Sequence, residues 1–247
     1  MSTATLDPEP GSLARSASEP KVHLWTRDEY YRMADAGFFQ GKRVELIGGE
    51  ILDRYEEPDP RPHLWTREEY YRMLDLGLFE AKRVELIEGQ VIEMSAMKSH
   101  HAIAVRLVAE ALRRVFTDGY FISVQCPLNL TFMAGNDPEP DVAVIDGDIR
   151  DYTEAHPQNA ELVVEISETT LRFDRQKKGS LYARAGIGEY WILNLKKRQL
   201  EVYRHTALDA AAAVGHSYKN KLILKAGDTV SPLARPDAII KVDDLLP

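Results

Sequence analysis

Residues 23–47 of this chain occur twice. The run His23-Leu24-Trp25-Thr26-Arg27-Asp28-Glu29-Tyr30-Tyr31-Arg32-Met33 returns as His63-Leu64-Trp65-Thr66-Arg67-Glu68-Glu69-Tyr70-Tyr71-Arg72-Met73, and Lys42-Arg43-Val44-Glu45-Leu46-Ile47 returns as Lys82-Arg83-Val84-Glu85-Leu86-Ile87. About two-thirds of the aligned positions are identical, which marks an internal duplication. Two copies are too few for a solenoid, whose units bury their faces only between neighbours. The chain therefore holds one surplus copy of a small unit that has to sit beside a conventional domain, exchange with the other copy, or dock on a partner chain.

Each copy reads as helix, loop and hairpin. Thr26 and Thr66 precede helical patterns with Glu29 and Glu69 three residues on, a capping box in each case. The helices are expected to stop near Gly37 and Gly77. Arg83–Ile87, the turn Glu88-Gly89 and Gln90–Met94 read as a hairpin, with Gly48-Gly49 at the turn of the first copy. Tyr55–Pro62 contains Pro58, Pro60 and Pro62 among acids and is expected to be a linker. Residues 1–20, rich in Ser, Ala, Pro and Glu without apolar periodicity, read as a disordered tail. The expected organisation is thus tail 1–20, extra copy and linker 21–62, and a domain over 63–247 into which the second copy runs directly.

Past the repeats, His100–Phe116 has helical apolar spacing. Phe121–Cys126, Leu128–Phe132, Pro140–Ile145 and Glu161–Ile166 read as strands, Arg172–Ala185 as a helix stopped by Gly186, and Glu189–Leu195 with Gln199–Tyr203 as a hairpin. Tyr218–Leu224 and a short piece near Ile239–Val242 are expected to complete the sheet. The fold class is α/β in the broad sense (α+β), one mixed sheet flanked by helices.

A single cysteine, Cys126, rules out an intrachain disulfide, and no apolar run approaches the ~20 residues of a membrane span. No basic, apolar leader opens the chain, so a cytoplasmic protein without membrane attachment is expected. The net charge of -8 argues against wholesale sequence-independent DNA binding, but Thr170–Arg204 nets +6 and offers a local basic surface. A solvated helix face and hairpin would explain the same charges.

Two acids stand where packing does not want them. Asp141 opens an apolar strand and Glu165 lies inside one. An ionised carboxylate among Val and Ile is unfavourable unless it is paired or bound to a metal. By period two, Asp141 shares a face with Ala143 and Ile145, and Glu165 with Val163. If the strands are adjacent the carboxylates converge, an arrangement suited to Mg²⁺ or Mn²⁺ and to phosphoryl chemistry. The following helix adds Asp174, Lys178 and Tyr182 at four-residue spacing, and Lys178 near its start can point back to the acids. The alternative for both acids is a structural ion pair with Lys178 or an arginine.

The runs Arg83-Val84-Glu85-Leu86-Ile87-Glu88-Gly89-Gln90-Val91-Ile92-Glu93-Met94-Ser95, Pro138-Glu139-Pro140-Asp141-Val142-Ala143-Val144, Leu162-Val163-Val164-Glu165-Ile166-Ser167 and Asp174-Arg175-Gln176-Lys177-Lys178, with Leu181–Ile187 and Glu189-Tyr190-Trp191-Ile192, together resemble the restriction endonuclease family of the Uma type, a branch of the PD-(D/E)XK nuclease superfamily. The resemblance covers residues 63–247 in order. It implies a restriction-endonuclease-like core, a divalent-metal site (Mg²⁺ or Mn²⁺) and hydrolysis of DNA phosphodiester bonds. It matches Asp141 and Glu165 to the two superfamily acids and Glu85 to an acid of the opening hairpin, making Asp141, Glu165 and Glu85 the metal set. The superfamily lysine two residues past the second acid is replaced here by Ser167, and Lys178 matches a lysine on the next helix. His100 matches a histidine at a helix start, with His101 beside it, and Gln125 a strand glutamine.

Bland readings stand beside these. Glu85 could pair with Arg83 or Lys82, His100 could cap a helix, and Gln125 could make a plain strand hydrogen bond. Trp25, Trp65, Tyr70, Tyr71 and Trp191 read as packing residues, and Cys126 as a buried small residue. Two function classes remain open: a metal-dependent endonuclease acting on nucleic acid, DNA before RNA, or a non-catalytic nuclease-fold module that binds or assembles with a protein partner. A homodimer is a natural expectation for cutting two strands with two sites.

Overall fold

The computed structural model of the chain describes residues 19–54, 60–130 and 135–247. The tail reading over residues 1–18 and the linker residues 55–59 lie outside these. No described helix is long and apolar enough to cross a membrane.

Both repeats fold as their sequences direct. Helix α1 (Arg27–Asp35) and helix α2 (Arg67–Asp75) each begin with a complete capping box, from Thr26 with Glu29 and from Thr66 with Glu69. The hairpins are β2 (Val44–Ile47) with β3 (Glu50–Asp53), and β5 (Arg83–Ile87) with β6 (Gln90–Met94). The tight turn of the second hairpin needs positive φ at two successive residues, and Glu88 (51°) and Gly89 (72°) supply it. At Gly89 a Cβ would also meet Leu64 Cβ at 2.7 Å, so the close approach of the Leu64–Trp65 chain requires glycine there. Two short strands lead into the helices: β1 (Lys21–Val22) and β4 (Arg61–Pro62). Neither pairs with the hairpin of the repeat it precedes. β1 lies on β6, and β4 lies on β3.

The site-bearing sheet has six strands: β7 (Tyr120–Val124), β8 (Val142–Asp146), β9 (Leu162–Ser167), β10 (Glu189–Asn194), β11 (Gln199–Leu208) and β12 (His216–Lys225), in the order β12-β11-β10-β9-β8-β7. Only β9 and β10 run parallel. A parallel pair needs a crossover, and the helical segment between them provides it. Residues of β9 are buried along its whole length, as expected for a strand covered on both faces. On one face Val142, Val144, Leu162, Val164, Trp191 and Leu193 pack against helix α3 (Ser99–Val115) and a C-terminal 3-10 turn, Val242–Leu245. On the other face Ala143, Val163, Tyr190 and Ile192 pack with Leu181, Tyr182 and the hairpin residues Ile87 and Ile92.

Several sequence expectations change. The sheet is not a single one: the repeats form two three-stranded sheets of their own, and β13 (Thr229–Val230) pairs only with β14 (Ile240–Lys241), so the C-terminal piece does not complete the main sheet. Residues 128–130 form no strand; Leu128 and Asn129 spend their backbone N–H groups on Pro138 and Pro157 carbonyls instead. Residues 131–132 of that expected strand are outside the described chain. Cys126 is exposed rather than buried, because it follows the bend at Gln125 (φ 50°) at the end of β7.

The helix expected over 172–185 is composite: α4 (Leu171–Phe173), a π turn at Asp174–Lys178, and α5 (Gly179–Arg184). Its wide hydrogen bond runs from Gly179 N to Asp174 O. Asp174 and Lys178, four residues apart at the two ends of that turn, share one face and are both buried.

Candidate functional site

The register of β8 on β9 matches Val142 with Val164 and Ala143 with Val163, so Asp141, one residue before β8, falls opposite Glu165. Asp141 Oδ2 takes the Ile166 N–H at 2.9 Å and so extends the ladder with its side chain. The two carboxylates anticipated to converge do so. A third arrives from the repeat-two hairpin. Along β5, Val84 and Leu86 turn into the repeat core, while Glu85 and Ile87 face the opposite way, and Ile87 packs on the main sheet. That alternation carries Glu85 to the sheet.

Lys178 joins them. Its Nζ lies 2.9 Å from Glu165 Oε1 and 3.1 Å from Glu85 Oε1, and Tyr182 O–H donates to Glu165 Oε1 at 2.8 Å. Glu85, Asp141, Glu165, Asp174 and Lys178 are all buried. His101 Nε2 stands 3.0 Å from Asp141 Oδ1, and Gln125 Nε2 donates to the same oxygen at 3.2 Å. His100, the histidine matched to the family position, is instead exposed on the first turn of α3, since successive helical residues point about 100° apart and only one can face the sheet. The structure therefore corrects His100 to His101 as the histidine beside the acids.

Glu85, His101, Asp141, Glu165, Asp174 and Lys178 line a cavity of about 440 Å³. Its wall also includes Arg83, Glu139 and Glu168, which sequence reasoning left without a role. The second acid of Pro138-Glu139-Pro140-Asp141 was the available signal for Glu139. Nothing in the residue pattern marks the π turn at Asp174–Lys178.

The electrostatics are those of an overloaded acidic site. Burial pushes Glu139 up to about 7, with the Glu85 charge adding to it and Arg83 opposing. Burial also raises Asp174 to about 6, against the pull of Lys178 and the Thr170 hydroxyl. Glu165 is raised well above its ordinary value by burial and by the charges of Asp141, Asp174 and Glu85, although Lys178 opposes this. Asp141 differs. Burial would raise it too, but the His101 contact and the Ile166 N–H hold it below the usual range. For Lys178, burial works against the charge and the surrounding carboxylates outweigh it, so it stays an ammonium.

The site's oxygen donors are of the type a hard divalent cation prefers. Among the described residues no three acidic, histidine or cysteine side chains stand gathered at metal-ligand spacing, and Lys178 lies between Glu85 and Glu165. The donor chemistry is nonetheless right: Glu85, Asp141 and Glu165 offer carboxylate oxygens only, the preference of Mg²⁺ and Mn²⁺. Glu85 Oε2 is buried without a hydrogen bond, though it lies 3.0 Å from Lys178 Nζ as an ion pair. A buried carboxylate oxygen with spare lone pairs is a ready ligand.

A second cavity, of about 370 Å³, shares Glu168 and Thr169 with the first. Arg172, Lys196 and Lys197 line it and are exposed. Other cations of the basic segment are engaged: Arg175 pairs with Glu201, and Arg204 with Glu189. Part of the +6 segment thus lines an exposed groove beside the acidic cavity, while Lys177 and Arg198 are exposed outside it.

Comparison with known proteins gives the family of the chain. The model of the Uma2 family, described as "Putative restriction endonuclease", matches residues 67–242. Among solved structures, the chain is similar to a "putative nuclease belonging to DUF820 from Anabaena variabilis ATCC 29413", with a TM-score of 0.55 and 13% identity over 73% of this chain and 96% of that one. No curated protein matches it. The main sheet, the flanking helices and the family match agree, and the chain belongs to the Uma2 family of restriction-endonuclease-like proteins.

Proposed function

We propose that the chain is a metal-dependent endonuclease that hydrolyses DNA phosphodiester bonds at the cavity between repeat two and the main sheet. The observation that carries this reading is the convergence of Glu85, Asp141 and Glu165 around Lys178 in one buried acidic pocket. Family membership and the nuclease name of the structural relative support it.

Glu85, Asp141 and Glu165 would hold Mg²⁺ or Mn²⁺. Such an ion, when bound, supplies an activated water and neutralises charge on the phosphoryl oxygens. Lys178 stays cationic and stabilises negative charge at the scissile phosphate, or orients the attacking water. Tyr182 and the Ile166 N–H fix the directions of Glu165 and Asp141. His101 and Gln125 hold Asp141 ionised and in place. Glu139, half protonated near neutrality, can take or return a proton at the cavity wall. Arg172, Lys196 and Lys197 would contact backbone phosphates that lead to the acids.

The test is cleavage of plasmid DNA with Mg²⁺ or Mn²⁺, comparing the wild-type chain with Asp141→Asn and Glu165→Gln. Each variant should lose about 100-fold or more in rate while keeping its circular dichroism spectrum. Full activity in either variant sinks the assignment. A wild-type chain that neither cleaves nor binds DNA would favour the module for a protein partner instead.

A further inference from the structure

The exchange of leading strands between the repeats is the outermost sign of a deeper reciprocity. Val22 of β1 pairs with Ile92 of β6, and Pro62 of β4 pairs with Leu52 of β3, each the other's counterpart at the forty-residue offset. His23 N donates to Val91 O at 2.8 Å, and His63 N to Ile51 O at 2.8 Å. His23 Nδ1 meets Glu93 at 2.7 Å, and His63 Nδ1 meets Asp53 at 2.7 Å. Arg32 donates to the carbonyl of Leu76, and Arg72 to that of Ala36, the residue equivalent to Leu76. Trp25 and Trp65 face each other with ring centroids 5.4 Å apart, where an axis relating the two halves would pass.

Residue i meeting j while j's equivalent meets i's equivalent is the definition of an isologous, two-fold interface. Such an interface normally joins two subunits. Here it joins two segments of one chain, and one hydrophobic cluster runs through both, from Trp25, Met33 and Phe38 to Trp65, Met73 and Phe79. We infer that the face of repeat two covered by repeat one is a self-association surface, and that repeat one fills the position of a second chain's repeat two.

The occupant follows from the contacts themselves. The surface is self-complementary because its two sides are copies of one sequence unit, so repeat two of a second chain offers the histidine, tryptophan and arginine that repeat one does. Uncovered, β6 presents an unpaired outer edge, a template for another strand. While repeat one is attached, its tether keeps its effective concentration in the millimolar range, so the intrachain contact wins over the interchain one.

The difference between repeats shows which one is the substitute. In repeat two, Arg67 Nε and Tyr71 O–H both bind the Asp137 carboxylate, at 2.8 Å and 2.9 Å, which ties the repeat to the loop leading into Asp141. Their counterparts Arg27 and Tyr31 are exposed. Glu45, the counterpart of Glu85, is exposed and pairs with Arg54. Repeat one keeps the pairing face and leaves the site face on the surface.

The experiment is sedimentation velocity on the full chain carrying Trp25→Asp and Phe38→Asp, both confined to repeat one. Proteolysis within residues 19–54 verifies that repeat one is released. The released chain should sediment at twice the wild-type mass, and adding Arg72→Glu, which enters a two-fold interface twice, should return it to the wild-type mass. A released chain that keeps the wild-type mass overturns the inference, and so does a doubling that survives Arg72→Glu. Should the first pair leave repeat one docked, adding His23→Asp sets a carboxylate against Glu93 and Glu29 and frees β1 as well. The readout is mass, so its outcome is independent of whether the site cleaves DNA.

Discussion

The Lys178 ammonium lies 2.9 Å from Glu165 Oε1, with both side chains buried. The pair spans β9 and the π turn, and Glu85 completes it from the repeat-two hairpin. Three elements distant in sequence are thus held by one buried cation.

Removing that cation should destabilise the chain strongly. Lys178→Met leaves Glu165 and Glu85 buried without a counter-ion, a change worth roughly 3–5 kcal/mol. The folded variant will relieve the charge by keeping protons on its carboxyls. A group whose folded pKa is raised binds more protons than in the unfolded chain, so its stability falls as pH rises. The Tm deficit of Lys178→Met against wild type should therefore be larger at pH 8 than at pH 5. A pH-independent deficit, measured by calorimetry, would count against this account of the site.

Metal binding should compete with protons. Glu165 is raised, Asp174 sits at about 6 and Glu139 at about 7, so at pH 5.5 the cavity retains protons that a cation must displace. Mg²⁺ or Mn²⁺ affinity is expected to rise from pH 5.5 to 7.5, with protons released in titrations run in buffers of different ionisation enthalpy. The Asp141→Asn, Glu165→Gln double variant should lose the binding. Affinity flat with pH would separate these carboxyls from the metal.

Glu201 gives a stability prediction away from the site. It is buried against Arg175, Lys221 and the Tyr203 hydroxyl, whose hydrogen bonds outweigh the effect of burial and lower it from 4.5 to about 2. A depressed carboxylate stabilises the fold above its unfolded value, and the contribution is lost as pH falls from about 4.5 toward 2. Glu201→Gln should cost on the order of 2 kcal/mol at pH 7 and little near pH 2.5, by denaturant unfolding at the two pH values.

The cationic groove should set the salt dependence of DNA binding. Replacing Arg172, Lys196 and Lys197 by Ala removes up to three phosphate contacts, and each accounts for about 0.9 in the slope of log K against log salt. The triple variant should bind more weakly at low salt and show a flatter slope in fluorescence anisotropy. An unchanged slope would place the DNA elsewhere.

Much of this protein was written locally. The capping boxes at Thr26 and Thr66, the Glu88-Gly89 turn, α3 and the apolar strands around Asp141 and Glu165 follow from short-range rules of helix capping, turn geometry and strand periodicity. The acids themselves were legible because a charge in an apolar strand conflicts with burial. Other features depended on tertiary structure. Whether His100 or His101 meets Asp141 is set by how α3 is rotated on the sheet, and no residue pattern announces the π turn over Asp174–Lys178. Leu128–Leu130 reads apolar and extended, yet its backbone groups are claimed by neighbouring loops. The duplication was plain in the sequence, but two such similar repeats do not tell which strand sits on which hairpin. That choice belongs to long-range pairing, and the structure resolves it as a reciprocal exchange that covers one edge of each hairpin and brings Trp25 against Trp65.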